Sequence, residues 1–407
     1  MITQLWRNSG LVVLAMVIAL SAILFHRPLM LVVALFLLVI TGLAEWMAGR
    51  TLTDIALDHH VSQRILEIGQ TVTAEIVFEN HMPWPIAHVS WENSLPEAVD
   101  VRGPGKVVAN APAHRQVISG QVHVGARQRV RVQYHLTGRA RGRWMLGPAA
   151  VWFSDTFGFT HLYRDMPERF YITVWPKRFV LGRKFITHQL MEGKIRGKIW
   201  DLPDPYHIVG IRPYIVGDPI RRLHPYVSAR AGRLMVKELQ TVQDRRIELV
   251  VHPVTNAEHW MGIDVDRLEE LISLAASVVE AGITAGVEVG LTMSGSLPGS
   301  PYGYCHQPAT GQPVLAEYLT ALSWLQPSGA ARQLLADRMA EISRRVTTAS
   351  VVILVCALWE PAVEPLFRSW RARGISLVVI TNGDLDARAD QFAADIFHWR
   401  EGKLGHG

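Results

Sequence analysis

Leu11-Val-Val-Leu-Ala-Met-Val-Ile-Ala-Leu-Ser-Ala-Ile-Leu-Phe25, a break at His26-Arg27-Pro28, and then Leu29-Met-Leu-Val-Val-Ala-Leu-Phe-Leu-Leu-Val-Ile-Thr-Gly-Leu-Ala44 open the chain. Each apolar run comes close to the ~20 residues an α-helix needs to cross a hydrocarbon core of ~30 Å. A three-residue break leaves no room for a translocated domain. The pair is therefore expected to form a transmembrane helical hairpin over residues 1–50, with both ends on one side. Trp6 and Arg7 before it, and Glu45, Trp46 and Arg50 after it, suit the membrane interface. A cleaved signal peptide explains only one run, and no small-x-small cleavage site follows Phe25. Arg7, Arg50 and Arg64 lie on the flanks and Arg27 alone in the turn, so the positive-inside bias places the large remainder in the cytoplasm, on the inner (cytoplasmic) membrane.

The remainder, about 360 residues, is long enough for two ordinary domains. A net charge of +5 suits an anionic membrane surface, and no block of consecutive basic residues points to nucleic acid. The two cysteines, Cys305 and Cys356, are too few for the disulfide framework of a secreted protein.

Residues 51–180 read as a β-sandwich. Val72, Ala74, Ile76 and Phe78 alternate with Thr73, Glu75 and Glu79, and Val130, Val132, Tyr134 and Leu136 alternate with Arg129, Arg131, Gln133 and His135. Period-two patterning makes a sheet with one buried face. Asn80-His-Met-Pro-Trp-Pro85, Gly103-Pro-Gly105 and Gly138 to Gly142 supply the turns.

Residues 241–407 alternate strand and helix. Strands are expected at Ile247–Val251, Val287–Met293, Val351–Leu358 and Ile375–Ile380, and helices at Asp266–Ala281, Val314–Leu325, Arg332–Val346 and Ala362–Arg373. Short, wholly apolar strands alternating with amphipathic helices imply an open, mostly parallel, doubly wound α/β sheet. The fold class is thus α+β multidomain.

No Gly-x-x-x-x-Gly-Lys-Ser/Thr loop and no Gly-x-Gly-x-x-Gly follows a strand. Ser300 is one place too early in Gly299-Ser-Pro-Tyr-Gly303 for a nucleophile elbow. His59-His60, His252 and His259 lack partners at ligand spacing, so neither a metal nor a cofactor is expected. Asn382-Gly-Asp-Leu-Asp386 reads as a polar turn. Asp218 with His224 is the one acid–base pair close in sequence, and no catalytic residue is assigned.

Between the two domains, residues 181–240 show little periodicity and much Arg, Gly, Pro and His. Here Arg212, Tyr214, Gly217, Asp218, Arg221, His224, Ser228, Ala229, Arg230, Lys237 and Glu238 stand as Arg-x-Tyr, Gly-Asp, Arg, His, Ser-Ala-Arg and Lys-Glu. Gly217 permits a tight turn, and Asp218 can accept from neighbouring amides or an arginine. Arg221, Arg222, Arg230 and Arg233 supply planar donors. Two readings follow: Asp218 and Glu238 pair with those arginines to brace the joint between domains, or the arginines form a surface for an anionic or acidic partner. Aromatic residues are not organised around the basic ones as a single-strand platform requires, which argues against nucleic acid.

This pattern closely resembles the hallmark of the domain-of-unknown-function 58 family. A second match lies in Arg141-Gly-Arg-Trp-Met-Leu-Gly-Pro148, Asp155-Thr-Phe-Gly158 and Val174-Trp-Pro176. The order of hairpin, β-stretch and α/β end also occurs in that family. The resemblance implies that the last domain is von Willebrand factor A-like. Such domains hold a divalent ion with Asp-x-Ser-x-Ser after the first strand. Here His252-Pro-Val-Thr-Asn-Ala257 follows that strand, and Cys356-Ala-Leu358 ends the fourth, so the oxygen ligands Mg²⁺ needs are missing. The usual Trp-Lys after the hallmark histidine is Pro225-Tyr226.

The resemblance further implies a MoxR-type AAA+ ATPase as partner. The expected function is therefore a non-enzymatic, membrane-anchored scaffold or adaptor acting with such an ATPase in assembly or maturation of an envelope complex. The alternative is a module binding a lipid headgroup or cell-wall fragment through Arg212, Arg221, Arg222 and Arg230.

Overall fold

The computed structural model describes residues 2–4, 9–110, 113–154, 161–166, 169–181, 203–215, 218–241, 246–256, 262–347, 350–383, 385, 389–393, 395–400 and 403–406. It is a mixed α and β chain of two compact units, Met1–Lys177 and Arg178–Gly407.

The first unit begins with β1 (Ile2–Gln4), α1 (Ser9–Leu24) and α2 (Pro28–Asp54). Pro28 starts α2 at a position where its missing N–H costs nothing. Within α2, residues Pro28–Met47 are long and apolar enough to cross a membrane, while the apolar part of α1, Gly10–Leu24, is shorter. The two helices pack on each other. Ala15, Ala22, Ala34 and Thr41 are buried, and Thr41 Oγ1 donates back to the Leu37 carbonyl at 2.8 Å. Small residues of this kind let helices approach closely. Phe25, Leu29 and Phe36 point outward at 71%, 79% and 61% exposure, an apolar surface far beyond scattered single residues.

The strands that follow are β2 (Ile55–Val61), β3 (Ile65–Glu67), β4 (Thr71–Asn80), β5 (Ile86–Pro96), β6 (Val99–Arg102), β7 (Lys106–Asn110) and β8 (Arg115–Val124). Then come β9 (Arg129–Gly138), β10 (Gly142–Leu146), β11 (Ala149–Ser154), β12 (His161–Met166) and β13 (Phe170–Trp175). They form sheets of order β1-β12-β11-β5-β8-β7, β2-β4-β9-β6 and β10-β13-β3 around one apolar core. The two strands with the clearest alternation are direct partners: Val72 faces Leu136, Ala74 faces Tyr134 and Ile76 faces Val132. Their inward side chains are buried together, as period-two patterning requires. The Asn80–Pro85 turn is held by Asn80, whose amide donates to the Trp84 and Gly125 carbonyls and whose Oδ1 accepts from the Met82 N–H.

The second unit contains β14 (Pro203–Pro213), α3 (Pro225–Ala231), β15 (Met235–Thr241), β16 (Arg246–His252), α4 (Val265–Thr284), β17 (Glu288–Met293), β18 (Tyr304–Ala309), α5 (Gln312–Trp324) and α6 (Ala331–Ser343). It ends with β19 (Ser350–Cys356), α7 (Glu364–Ala372), β20 (Ser376–Thr381), β21 (Asp395–Arg400) and β22 (Lys403–His406). A seven-stranded sheet has the order β18-β17-β16-β19-β20-β21-β22. Its five inner strands are parallel and the two outer ones antiparallel. Val250, Val352, Leu354, Leu377 and Val379 pack with Met339 of α6 and Phe367 and Trp370 of α7. On the opposite face Gly282 of α4 lies so close to Val289 and Ile247 that a Cβ there would stand 2.8 Å from the Val289 side chain. With both faces covered, the strands are continuously apolar rather than alternating. The strand order reverses between β16 and β19, which places a crevice at their carboxyl ends.

Every strand and helix anticipated between 247 and 380 is present, within a few residues. The antiparallel edge strand β18 and the terminal pair β21–β22 were not anticipated, and β14 and β15 replace the irregular segment expected before residue 240.

Candidate functional site

The Arg-rich segment folds as an antiparallel hairpin. β14 and β15 pair with Pro213 opposite Met235, Arg212 opposite Val236 and Ile211 opposite Lys237. A 3₁₀ turn (Ile220–Arg222) and the seven-residue helix α3 fill the connection. Pro225 sits in the first turn of α3, His224 Nδ1 accepts from the Val227 N–H at 3.3 Å, and Gly232 ends the helix in the left-handed region at φ 62°. Proline at the start and glycine just past the end are the expected helix boundaries.

Backbone and side-chain bonds fasten this insert to the strands. The Tyr214 N–H donates to the Leu234 carbonyl and the His224 N–H to the Met235 carbonyl, at 3.0 and 2.8 Å. Ser228 Oγ accepts from the Met235 N–H at 2.8 Å. Val236 is buried beneath, in a bridge to Leu223.

Asp218 is the centre of this arrangement. Its two carboxylate oxygens accept from the two terminal nitrogens of Arg212, each at 2.7 Å, and Oδ2 also accepts from the Ile215 N–H at 2.9 Å. The bidentate guanidinium, the backbone donor and the nearby Arg222 hold the Asp218 carboxyl down at about 2. Asp218 therefore pairs with Arg212, not with the arginines after it. The Ile215 N–H donates to Asp218 Oδ2 and the Asp218 N–H to the Ile215 carbonyl, so the aspartate is held beside the end of β14 and meets the cation on that strand. The brace lies within the hairpin. Gly217 and the side chains of Arg221 and Glu238 lie outside the described residues.

His224 Nδ1 is bonded to the Val227 N–H and Asp218 to Arg212 and Ile215, and no contact among the described residues joins the acid–base pair suggested by sequence. Arg230 on α3 is exposed and Lys237 half-buried. Around them Ile215, Ile220, Tyr226 and Leu234 are 64%, 77%, 74% and 54% exposed, an unusual density of large apolar side chains for one short hairpin.

The second region of interest is the crevice where the sheet order reverses. His252 ends β16 fully buried, with Nδ1 2.8 Å from Ser294 Oγ and Nε2 3.6 Å from Glu360 Oε1. Arg332 Nε lies 2.8 Å from the same carboxylate oxygen. Burial pushes the Glu360 carboxyl up, but His252 and Arg332 together outweigh it and hold it below its ordinary value. Thr255 is buried and accepts from the Asp264 N–H, and Asn382 donates to the Arg267 carbonyl and to Glu270. Among the described residues no three His, Cys, Asp or Glu side chains are gathered as a metal site would need.

Other residues singled out by sequence are dispersed. His59 is buried against Tyr134 at 2.7 Å in the first unit, and Ser300 Oγ donates to the Gly303 carbonyl. His259, Asp384, Asp386 and the Asp155–Gly158 stretch lie outside the described residues. One contributor to the second motif escaped sequence reasoning. Arg115, on β8, donates to Ser94 Oγ and to the Gly147 carbonyl at 2.7 and 2.6 Å, clamping the end of Arg141–Pro148. Nothing local to Arg115 signals this, because the contact is made across the sheet.

The chain is thus a strand-rich unit led by apolar helices, followed by a mostly parallel α/β unit bearing a braced, Arg-rich hairpin. The family described as "Protein of unknown function DUF58" matches residues 210–384, which supports the resemblance read from the hallmark segment. The match begins in β14 at Gly210 and runs through the rest of the hairpin and the sheet as far as the loop after β20. No curated protein matches the sequence. Among solved structures, the major pilin SpaD of Corynebacterium diphtheriae is 11% identical, with 29% of this chain and 35% of that one covered and a TM-score of 0.23. The alkylpurine DNA glycosylase AlkC of Pseudomonas fluorescens is 9% identical over 30% of each chain, with a TM-score of 0.20. A cohesin module of a Clostridium perfringens family 33 glycoside hydrolase is 11% identical, with 29% and 96% covered and a TM-score of 0.23. The chain spans about a third of the length of the pilin and of the glycosylase. Likenesses this slight carry no argument about fold or activity.

Proposed function

We propose that the protein is a non-enzymatic scaffold, anchored in the inner membrane by both α1 and α2. Its β-sandwich and von Willebrand factor A-like α/β domain face the cytoplasm and act with a MoxR-type AAA+ ATPase in assembly or maturation of an envelope complex. The outward apolar side chains of the two helices and their turn support the anchor, since water would not tolerate so many exposed groups such as Phe25, Leu29 and Phe36.

The observation that carries the interaction reading is the surface of the hairpin. Arg212, the first hallmark arginine, is spent on Asp218 and is not left to meet an anion. Exposed Ile215, Ile220, Tyr226 and Leu234, with Arg230 beside them, have the makeup of a protein-docking patch, in which buried aromatic and aliphatic anchors carry most of the affinity. A site for a lipid headgroup or cell-wall fragment would have to do without Arg212.

The test is photo-crosslinking from position 226 in the full-length, membrane-embedded protein. Recovery of a MoxR-type ATPase, lost on Arg230→Ala or Ile220→Glu, is the expected result. Recovery of periplasmic proteins only, or salt-sensitive binding of the protein to anionic vesicles that Arg230→Ala abolishes, would overturn it.

A further inference from the structure

A groove of about 580 Å³ lies in the second unit between α5 and the loop that leads into β18. One wall is a single face of α5. Glu317, Thr320, Ala321 and Trp324 follow at i, i+3, i+4 and i+7, which places them on one side of the helix over two turns. The facing wall is Leu297 and Pro298 of the loop, with Tyr304 at the start of β18. The lining is mostly apolar, with Ser300 and Thr320 as small hydroxyls and a charged group at one end, as in pockets for small ligands, where a few placed polar groups fix orientation.

That end is acidic. Glu317 Oε1 accepts from the Tyr304 hydroxyl at 3.0 Å and lies 3.8 Å from His306 Nε2. Burial and the Glu317 carboxylate push the Tyr304 phenol above its ordinary value, so it stays a donor and fixes the carboxylate's orientation. No arginine or lysine among the described residues takes up this carboxylate, in a chain of net charge +5. At the other end, two helical turns or about 10 Å away, stands the Trp324 indole. A carboxylate at one end, an indole at the other and a mostly apolar floor between them, with one hydroxyl at Thr320, match one kind of occupant.

We propose that this groove binds an organic cation on an apolar stem, an alkyl- or arylalkyl-ammonium or a guanidinium, with the charge at Glu317 and the stem against Ala321 and Trp324. A neutral molecule of the same shape leaves the carboxylate without its counter-charge, and an anion is repelled by it. The same chemistry is offered by a free amine and by the basic side chain of a peptide.

The probe is a diazirine-bearing alkylammonium, crosslinked to the full-length protein in nanodiscs, with labelled peptides identified by mass spectrometry. Labelling is expected on the peptides spanning 297–304 and 316–324. It should be competed by 4-phenylbutylammonium, resisted by 4-phenylbutanol, and fall about tenfold in Glu317→Gln, the loss of one charge-assisted contact. Trp324→Ala should weaken labelling while Glu317→Gln leaves the melting temperature unchanged, since Glu317 is half-exposed. Stronger competition by acetyl-Ala-Arg-Ala-amide than by the free amine would assign the site to a peptide, and the reverse to a small amine. Equal labelling of wild type and Glu317→Gln, equal competition by the alcohol, or labelling confined to other peptides would overturn the proposal.

Discussion

Arg345 and Glu248 form a two-point ion pair against an inner strand of the parallel sheet. Nε and one terminal nitrogen of Arg345 each donate to a different Glu248 oxygen at 2.9 Å, and the Glu248 side chain is 2% exposed. Glu248 lies in β16, one of the innermost strands, and its carboxylate fits only because the neighbouring residue on β17 is Gly290. A Cβ there would stand 2.4 Å from Glu248 Oε2. Burial pushes the Glu248 carboxyl above its ordinary value, while Arg345 pulls it back. Sheet, carboxylate and guanidinium are thus one unit, and none of the three can change alone.

Removing one partner should therefore cost far more than removing both. Arg345→Ala leaves a buried carboxylate uncompensated and is expected to destabilise the protein by roughly 3–5 kcal/mol. Glu248→Met combined with Arg345→Met should recover much of that loss, because the desolvation penalty disappears with the charges. Urea denaturation of the two variants in detergent checks the ordering. A double variant less stable than Arg345→Ala would show that the pair is worth more than the burial it demands.

The Arg212–Asp218 pair makes a different prediction, since it holds a hairpin and not a core. The Asp218 carboxyl sits at about 2, below its ordinary value, so its contribution to the folded hairpin is complete above pH ~4 and is lost as pH falls through about 2. Asp218→Asn should mimic the acid state at neutral pH. Hydrogen exchange over residues 210–236 reports it. The Tyr214 and His224 N–H groups, bonded to Leu234 and Met235, should exchange faster in the variant, while β16 and β19 keep their protection. Unchanged exchange at Tyr214 would show that the backbone bonds suffice without the side-chain pair.

How far the sequence alone could lead differs along the chain, and for physical reasons. The strands of the second sheet were legible because a strand buried on both faces must be apolar throughout, as Val351 to Val355 are. The strands of the first unit were legible because one face is wet, so Val72 to Phe78 alternate. The hairpin was opaque. β14 and β15 form a sheet of their own, and the Gly, Pro and Arg between them belong to a turn, a 3₁₀ segment and α3. Asp218 was legible as an acceptor for amides and an arginine, but its partner was not, because five arginines lie close along the chain and spacing does not choose among them. β18 was hidden by Gly299, Pro301 and Gly303, which mark the loop before it. His306 of β18 meets Tyr318 and Glu317 of α5, a juxtaposition no spacing reveals.

Gly120 is a position where the close approach of a ring decides the residue. A Cβ at Gly120 would lie 2.8–2.9 Å from the indole of Trp91, which is 1% exposed and packed in the first unit's core. Trp91 cannot retreat, because its other side stacks on Tyr134 with ring centroids 6.2 Å apart. Gly120→Ala should cost about 1–3 kcal/mol, as overpacking of a closed core does. Gly69→Ala, with nothing within 4 Å of its Cβ but a φ of 84°, should show strain of a purely backbone kind. Paired thermal melts, with near-ultraviolet circular dichroism for the Trp91 environment, separate the two. The dichroism should change in the Gly120 variant alone.

His59 gives the fold a dependence on pH that can be worked out in sign. Its Nε2 lies 2.7 Å from the Tyr134 hydroxyl, which also accepts from Asn93 Nδ2 at 2.7 Å, and its ring meets Phe170 edge-on at 4.8 Å. Burial lowers the imidazole from 6.5 to about 4, with Asp58 opposing weakly. Between those values the unfolded chain binds a proton that the folded chain does not. Stability from this residue is thus complete above pH ~6.5, is lost as pH falls toward about 4, and changes no further below that. The shift corresponds to roughly 3 kcal/mol across the window. His59→Gln keeps a polar group beside Tyr134 and removes the proton-binding site, so it should be less stable at pH 7 and should show a shallower slope between pH 6.5 and 4. Urea titrations at half-unit pH steps measure that slope. Since the other histidines are present in both proteins, the difference between the two curves belongs to His59. A slope unchanged by the substitution would mean that the imidazole titrates as freely in the folded protein as in the unfolded chain.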